Sequence, residues 1–161
     1  MRARHSPPAL RSSRAPEGWL TRLPRGLSLE GKRLLVIEDE VFVAMDIAFT
    51  CEVAGAEVIG TTSVRSALKA IEQAGAENRP FDAALLDLEV RDGTTEPVAE
   101  ALRERDVPFI VYTGEVQGGV EMAGRFGVRA FAKPMPVEEI ALGIADLLDG
   151  SASDTRALPA R

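Results

Sequence analysis

A chain of 161 residues, 45% of them hydrophobic and 27% charged, is sized for one globular domain with a core of its own and is too short for two. Its formal net charge of −6 is unevenly spread: residues 1–30 hold six Arg against Glu17 and Glu30, so the remainder carries −10. An acidic body with no basic patch argues against direct nucleic acid binding, a single cysteine excludes a disulfide framework or a multi-cysteine metal site, and no apolar run is long enough to span a membrane. The N-terminus has arginines but no apolar stretch, so it is not a secretory signal, and a cytoplasmic protein without a membrane partner is expected.

Residues 1–31, "MRARHSPPALRSSRAPEGWLTRLPRGLSLEG", are rich in Pro, Arg and Ser and follow no sustained period. They read as a disordered basic tail with Trp19-Leu20 as its apolar anchor. A linker or an upstream extension is the leading reading, and a docking or targeting segment is the alternative. His5, the sole histidine, belongs to this tail and not to the folded part. Regular patterning starts at Lys32. "RLLVI" (33–37) reads as a buried strand, and 41–55 as a helix with a wide apolar face stopped by Gly55. "EVIGT" (57–61) is a second strand. A helix over 63–75 follows, capped by Ser63 and ended by Gly75.

"FDAALLD" (81–87) is the third strand, a run apolar enough to be buried on both faces. Residues 95–105 form a helix with Pro97 in its first turn, and "PFIVYT" (108–113) is the fourth strand. The next segment, "EVQGGVEMAGRFG", is helical by position but holds Gly118, Gly119, Gly124 and Gly127. Each interior glycine costs a helix about 1 kcal/mol relative to Ala, so a short or soft helix is expected. "RAFA" (129–132) is the fifth strand, and 136–150 the last helix, from Pro136 to Gly150. Residues 151–161 form a second disordered tail. Cys51 sits in an apolar helical pattern and reads as a buried, inert thiol.

Five strands alternating with five helices through right-handed crossovers give a doubly wound α/β fold with a five-stranded parallel sheet in the order 2-1-3-4-5. The crevice of such a sheet lies at the carboxyl ends of strands one and three. Strand one runs into Glu38-Asp39-Glu40, strand three ends on Asp87, strand four on Thr113-Gly114 and strand five on Lys133-Pro134. Carboxylates gathered at one point repel each other unless a proton or a cation joins them. All-oxygen donors, Asp39 and Asp87 first, suit Mg²⁺. A carboxylate beside Mg²⁺ and a lysine is a nucleophile for a phosphoryl group, with the Thr113 hydroxyl and a backbone N–H near Gly114 or Leu88 for the remaining oxygens.

"LLVIEDE", "AALLDLEVRDG", "VYTGE" and "AFAKPM", between residues 32 and 150, resemble the response-regulator receiver domains of bacterial two-component systems. The resemblance implies a flavodoxin-like, three-layer αβα fold with Asp87 as phospho-acceptor. It implies Mg²⁺ held by Asp39 directly, by Glu38 through water and by the backbone carbonyl of Glu89. Thr113 is then the switch hydroxyl and Lys133 the partner of the phosphoryl group, followed by a cis Lys133–Pro134 bond. Ala130 stands where the family's switch aromatic is usual, and Phe131, one residue on, points to the opposite face. The lack of that aromatic, with "VYTGE", is similar to a stand-alone subgroup that carries a Phe-Ala-Thr-Gly motif. Glu89 is an unusual neighbour of the acceptor, read either as solvated surface or as a charge that alters phosphoryl lifetime.

The implied function is that of a receiver without an output domain, and not of a classical enzyme. It takes a phosphoryl group from a histidine kinase or phosphotransfer protein and signals to a downstream protein partner, as a monomer or a phosphorylation-dependent dimer. Residues 114–128 are the segment expected to respond. The alternatives are the receiver portion of a hybrid histidine kinase, a phosphorylation-independent scaffold, and a phosphatase of the haloacid-dehalogenase type. The last would place its nucleophile on the first strand, whereas Asp87 ends the third.

Overall fold

The computed structural model describes residues 23–150. Along them run β1 (Arg33–Ile37), α1 (Val41–Val53), β2 (Glu57–Thr61), α2 (Val64–Ala76), β3 (Ala83–Leu86), β4 (Glu89–Val90), β5 (Gly93–Thr94), α3 (Glu96–Arg103), β6 (Phe109–Thr113), α4 (Val116–Phe126), β7 (Ala130–Ala132) and α5 (Val137–Leu148). The main sheet is ordered β2-β1-β3-β6-β7 with every pairing parallel. Counting only its own strands, this is the expected order 2-1-3-4-5. None of the described helices is long and apolar enough to cross a membrane.

The period of two along each strand divides the core into two layers. Leu35 and Ile37 of β1, Leu86 of β3, and Phe109 and Val111 of β6 face a layer closed by Ile71 of α2, Leu102 of α3 and Met122 of α4. Leu34, Val36, Leu85, Ile110 and Tyr112 face the other, closed by Ile47 and Cys51 of α1 and Ile140 and Ile144 of α5. Strands buried on both faces need continuous apolar runs, which is why "RLLVI" and "AALL" carry no alternation. Cys51 is buried, and burial first, with Glu52 beside it, pushes its thiol up to about 12. It is inert at neutral pH.

β7 follows the same rule. Ala130 joins the layer under α4, and Phe131 points the other way, into the layer under α5. A Cβ on Gly143 of α5 would stand 2.6 and 2.7 Å from two ring carbons of Phe131, so this glycine is the space the ring fills. Gly124, on the exposed side of α4, has nothing within 4 Å of such an atom. Opposite outcomes are expected from one substitution type. Gly143→Ala destabilises by about 1–3 kcal/mol through overpacking, and Gly124→Ala stabilises by roughly 0.5–1 kcal/mol through helix propensity. Urea unfolding of the two variants reads the difference in sign.

Several boundaries move from the sequence reading, each for a local reason. Gly75 does not end α2: the helix continues to Ala76, and the reversal falls on Asn78, whose φ of 53° is in the left-handed region that Asn tolerates. Ser63 caps this helix as expected, accepting the Ser66 N–H at 3.1 Å. Gly55 follows α1 at φ 103°, where a Cβ would also lie 2.9 Å from the Cα of Glu30. Residues 27–31, expected to belong to a disordered tail, are part of the body. Leu29 is fully buried and donates its N–H to Ala54 O at 2.8 Å, while Leu23 and Leu27 pack on the same layer. The rest of that tail, residues 1–22, lies outside the described residues, as does 151–161.

α4 is three turns long despite its glycines. Glu115 caps its first turn, accepting from Gln117 N–H at 3.2 Å and Gly118 N–H at 2.5 Å, and Gly127 follows it at φ 68°.

Candidate functional site

The site is assembled by backbone bonds just past the strand ends. Glu38 N–H donates to Thr61 O at 3.0 Å, Asp87 N–H to Ile37 O at 2.9 Å and Lys133 N–H to Thr113 O at 2.9 Å. Each functional residue is thereby fixed to the strand next to its own, one position beyond the sheet. The cis Lys133–Pro134 peptide is present as the resemblance implied.

Lys133 is the centre of the arrangement. Its Nζ lies 2.7 Å from Asp87 Oδ2, 2.7 Å from Glu38 Oε2 and 3.2 Å from Glu40 Oε1. Glu38 and Asp87 are buried, and Glu40 stands at the rim. Burial dominates for Glu38 and raises its carboxyl pKa against the opposing Lys133 contact. Burial alone would lower the Lys133 ammonium, but its hydrogen bonds to Asp87 and Glu38, and their charges, prevail and raise it. The Tyr112 ring lies beneath that ammonium, 5.4 Å from Nζ to the centroid, and its hydroxyl accepts the Met135 N–H at 3.3 Å. Tyr112 thus fastens the Lys133 loop to β6.

Of the residues singled out from sequence, the structure brings Glu38, Asp87 and Lys133 into contact. Asp39, expected as the direct metal ligand, is half-buried and is not among the converging carboxylates. Oxygens of Glu38, Glu40 and Asp87 all lie within 4.8 Å of one another. The chain bends at residues 39 and 40 as it leaves β1, and it is Glu38 and Glu40 that turn toward Asp87. Glu38 Oε1 also accepts the Glu40 N–H at 3.0 Å, which holds the two together. Thr113 is buried at the end of β6, where its Oγ1 accepts the Glu115 N–H at 3.1 Å. That bond ties the hydroxyl to the cap of α4 and leaves its proton to be donated elsewhere.

Glu89 has an exposed side chain and opens the hairpin β4–β5, opposite Thr94. The polar loop expected after Asp87 is therefore ordered, and two residues missed in the sequence order it. Thr95, fully buried, donates its hydroxyl to Asp87 O at 2.6 Å, and its N–H goes to Leu88 O at 2.9 Å. At the hairpin tip, Asp92 accepts the Val64 N–H at 2.6 Å and the Arg65 N–H at 3.1 Å, pinning the loop to the N-terminus of α2. The Arg65 bond foremost, with that from Val64, holds the Asp92 carboxyl below its ordinary range. The two-residue loop is Arg91-Asp92, since Val90 pairs with Gly93, so the "DG" of "VRDG" does not form the turn itself.

No family model and no curated protein matches the chain. Solved structures do. A sensor protein from Polaromonas sp. JS666 is 23% identical, with 76% of this chain and 99% of that one covered at a TM-score of 0.64. A response regulator receiver domain protein (CheY-like) from Methanospirillum hungatei JF-1 is 24% identical over 74% and 95% of the two chains, TM-score 0.64. A response regulator receiver protein from Sinorhizobium medicae WSM419 is 22% identical over 77% and 99%, again at 0.64. The chain has the receiver fold. The receiver fold accounts for the sheet order and for where the site lies, at the carboxyl ends of β1 and β3 where the strand order reverses.

The donor set can be tested for a metal on its own chemistry. Three carboxylates around one ammonium leave an excess of negative charge, and every converging ligand atom is a carboxylate oxygen. Hard oxygen donors of that kind fit Mg²⁺.

Proposed function

We propose that this chain is a phospho-accepting receiver of a two-component phosphorelay, with Asp87 as the acceptor. The observation that supports it is the contact of Lys133 Nζ with both Asp87 and Glu38 at 2.7 Å, at the crevice of a receiver fold. The donor is a histidine kinase or phosphotransfer protein. Asp87 Oδ attacks phosphorus, the P–N bond to the donor's histidine breaks, and that nitrogen regains the electron pair. Lys133 balances the charge that builds on the phosphoryl oxygens, and the Thr113 hydroxyl donates a hydrogen bond to one of them. Mg²⁺ would be held by Asp87, Glu38 and Glu40, with Asp39 and the Glu89 carbonyl as the further expected ligands. When bound it would neutralise phosphoryl oxygens during transfer.

A new charge near −2 on Asp87 draws on Thr113 and Lys133. Because the Thr113 oxygen also accepts the Glu115 N–H, that pull reaches the first turn of α4. The segment 114–128 is thus the reading's route to a downstream protein partner. Incubation with acetyl phosphate and Mg²⁺ followed by mass measurement tests the proposal. The wild type should gain one phosphoryl group and Asp87→Asn none. A wild type that stays unlabelled, or an Asn variant labelled equally, refutes it; the former favours a phosphorylation-independent scaffold.

A further inference from the structure

α1 buries Ile47, Thr50 and Cys51 and turns its opposite side outward. On that side Phe42 is 84% exposed, Met45 61% and Phe49 38%. Their spacing of i, i+3 and i+7 puts the three on one stripe about 10 Å long. Isolated exposed apolar side chains are ordinary, but three large ones in a row form a contiguous patch of the kind that marks a contact surface.

The described chain points to what covers it. Leu23, the first described residue, lies at the Phe49 end of the stripe. With Asp46, Phe49 and Thr50 of α1 and Val137 and Glu138 of α5 it lines a cavity of about 250 Å³. From Leu23 the sequence runs back through Arg22, Thr21 and Leu20 to Trp19. Four residues span at most about 14 Å, enough to bring Trp19 and Leu20 along the stripe. Charge agrees with this direction. Residues 1–22 hold five Arg against Glu17, whereas α1 carries no basic residue and Asp46 and Glu138 stand on the cavity wall.

We propose that the N-terminal segment of this same chain docks along α1, seating Trp19 and Leu20 on the Phe42–Met45–Phe49 stripe with its arginines facing the acidic groups beside it. A tethered segment is present at an effective concentration of order millimolar, which favours it over a second copy. An indole buries on the order of 150–250 Å² on such a surface. The proposal stands apart from the phosphoryl chemistry of Asp87.

Trp19 is the only tryptophan in the chain, so its emission reports the contact directly. In the full chain its emission should be shifted to the blue and quenched weakly by acrylamide. The double variant Phe42→Ser/Met45→Ser, at two exposed positions outside the site, should move emission toward that of indole in water and raise quenching several-fold. Far-UV circular dichroism should stay unchanged. Leu20→Ser, in the segment proposed to dock, should act in the same direction. A wild-type Trp19 that already emits as if in water, or one indifferent to all three substitutions, overturns the proposal. Emission that reddens on dilution together with a fall in sedimenting mass also overturns it, since a second copy would then be the cover.

Discussion

Lys133→Met should cost the folded protein about 3 kcal/mol at neutral pH, because it strands two buried carboxylates that now share one ammonium. Met preserves most of the aliphatic stem that packs near Tyr112, so the loss is chiefly electrostatic. The pH dependence separates this from a packing defect. Burial already raises the Glu38 carboxyl, and Lys133 is the main group opposing that shift. Without it the folded pKa rises further above the unfolded one. A carboxyl raised in this way favours the fold below its unfolded pKa, and that contribution is lost as pH rises through the folded value. The deficit of the variant should therefore be small near pH 5 and large near pH 8. Millimolar Mg²⁺ should shrink it at the higher pH, since a divalent cation among the carboxylates restores the balance of charge. Urea unfolding at both pH values, with and without Mg²⁺, measures all four conditions. A loss equal in all of them would mean that the three carboxylates around Lys133 do not interact as the distances imply.

The main sheet and its order were legible because strands buried on both faces leave little choice of pattern: "RLLVI" occupies β1 as expected, and "AALL" forms β3 inside its expected run. That Ala130 and Phe131 face opposite sides was legible too, since a strand period of two turns neighbours to opposite faces. What failed to show was anything decided where the period stops. Three consecutive acids follow β1, and nothing local says that Glu38 and Glu40, and not Asp39, turn to one side. Leu29 looked like tail because its burial depends on Ala54 and Gly55, some 25 positions later. Asp92 caps a helix that begins 28 residues before it, a pairing that becomes visible only once the hairpin exists. Gly75 misled in the opposite way: a glycine is permitted in a helix interior at a cost of about 1 kcal/mol, and the left-handed turn was left to Asn78.

Thr95→Val is the corresponding test of the loop that carries the acceptor. Valine keeps the shape and removes the hydroxyl, leaving Asp87 O without its 2.6 Å donor in a fully buried place. An expected loss of about 2 kcal/mol follows from stranding a buried acceptor. Thr95→Ser, which keeps the donor and gives up a methyl group, should lose only about 1 kcal/mol. Stability alone would not tie Thr95 to function, because many buried threonines are structural. Its second effect does. The hydroxyl and N–H of Thr95 fix the carbonyls of Asp87 and Leu88, and so the direction in which the chain leaves the acceptor toward Glu89. Freed of that restraint, the backbone should present its oxygens less consistently to a cation. Mg²⁺ affinity should then fall several-fold in the Val variant and recover in the Ser variant, measured where both are fully folded. Equal Mg²⁺ affinity in all three proteins would restrict Thr95 to holding the fold. Acetyl-phosphate labelling of Asp87 should follow the same ranking, because an acceptor carboxylate is aimed by the backbone that bears it.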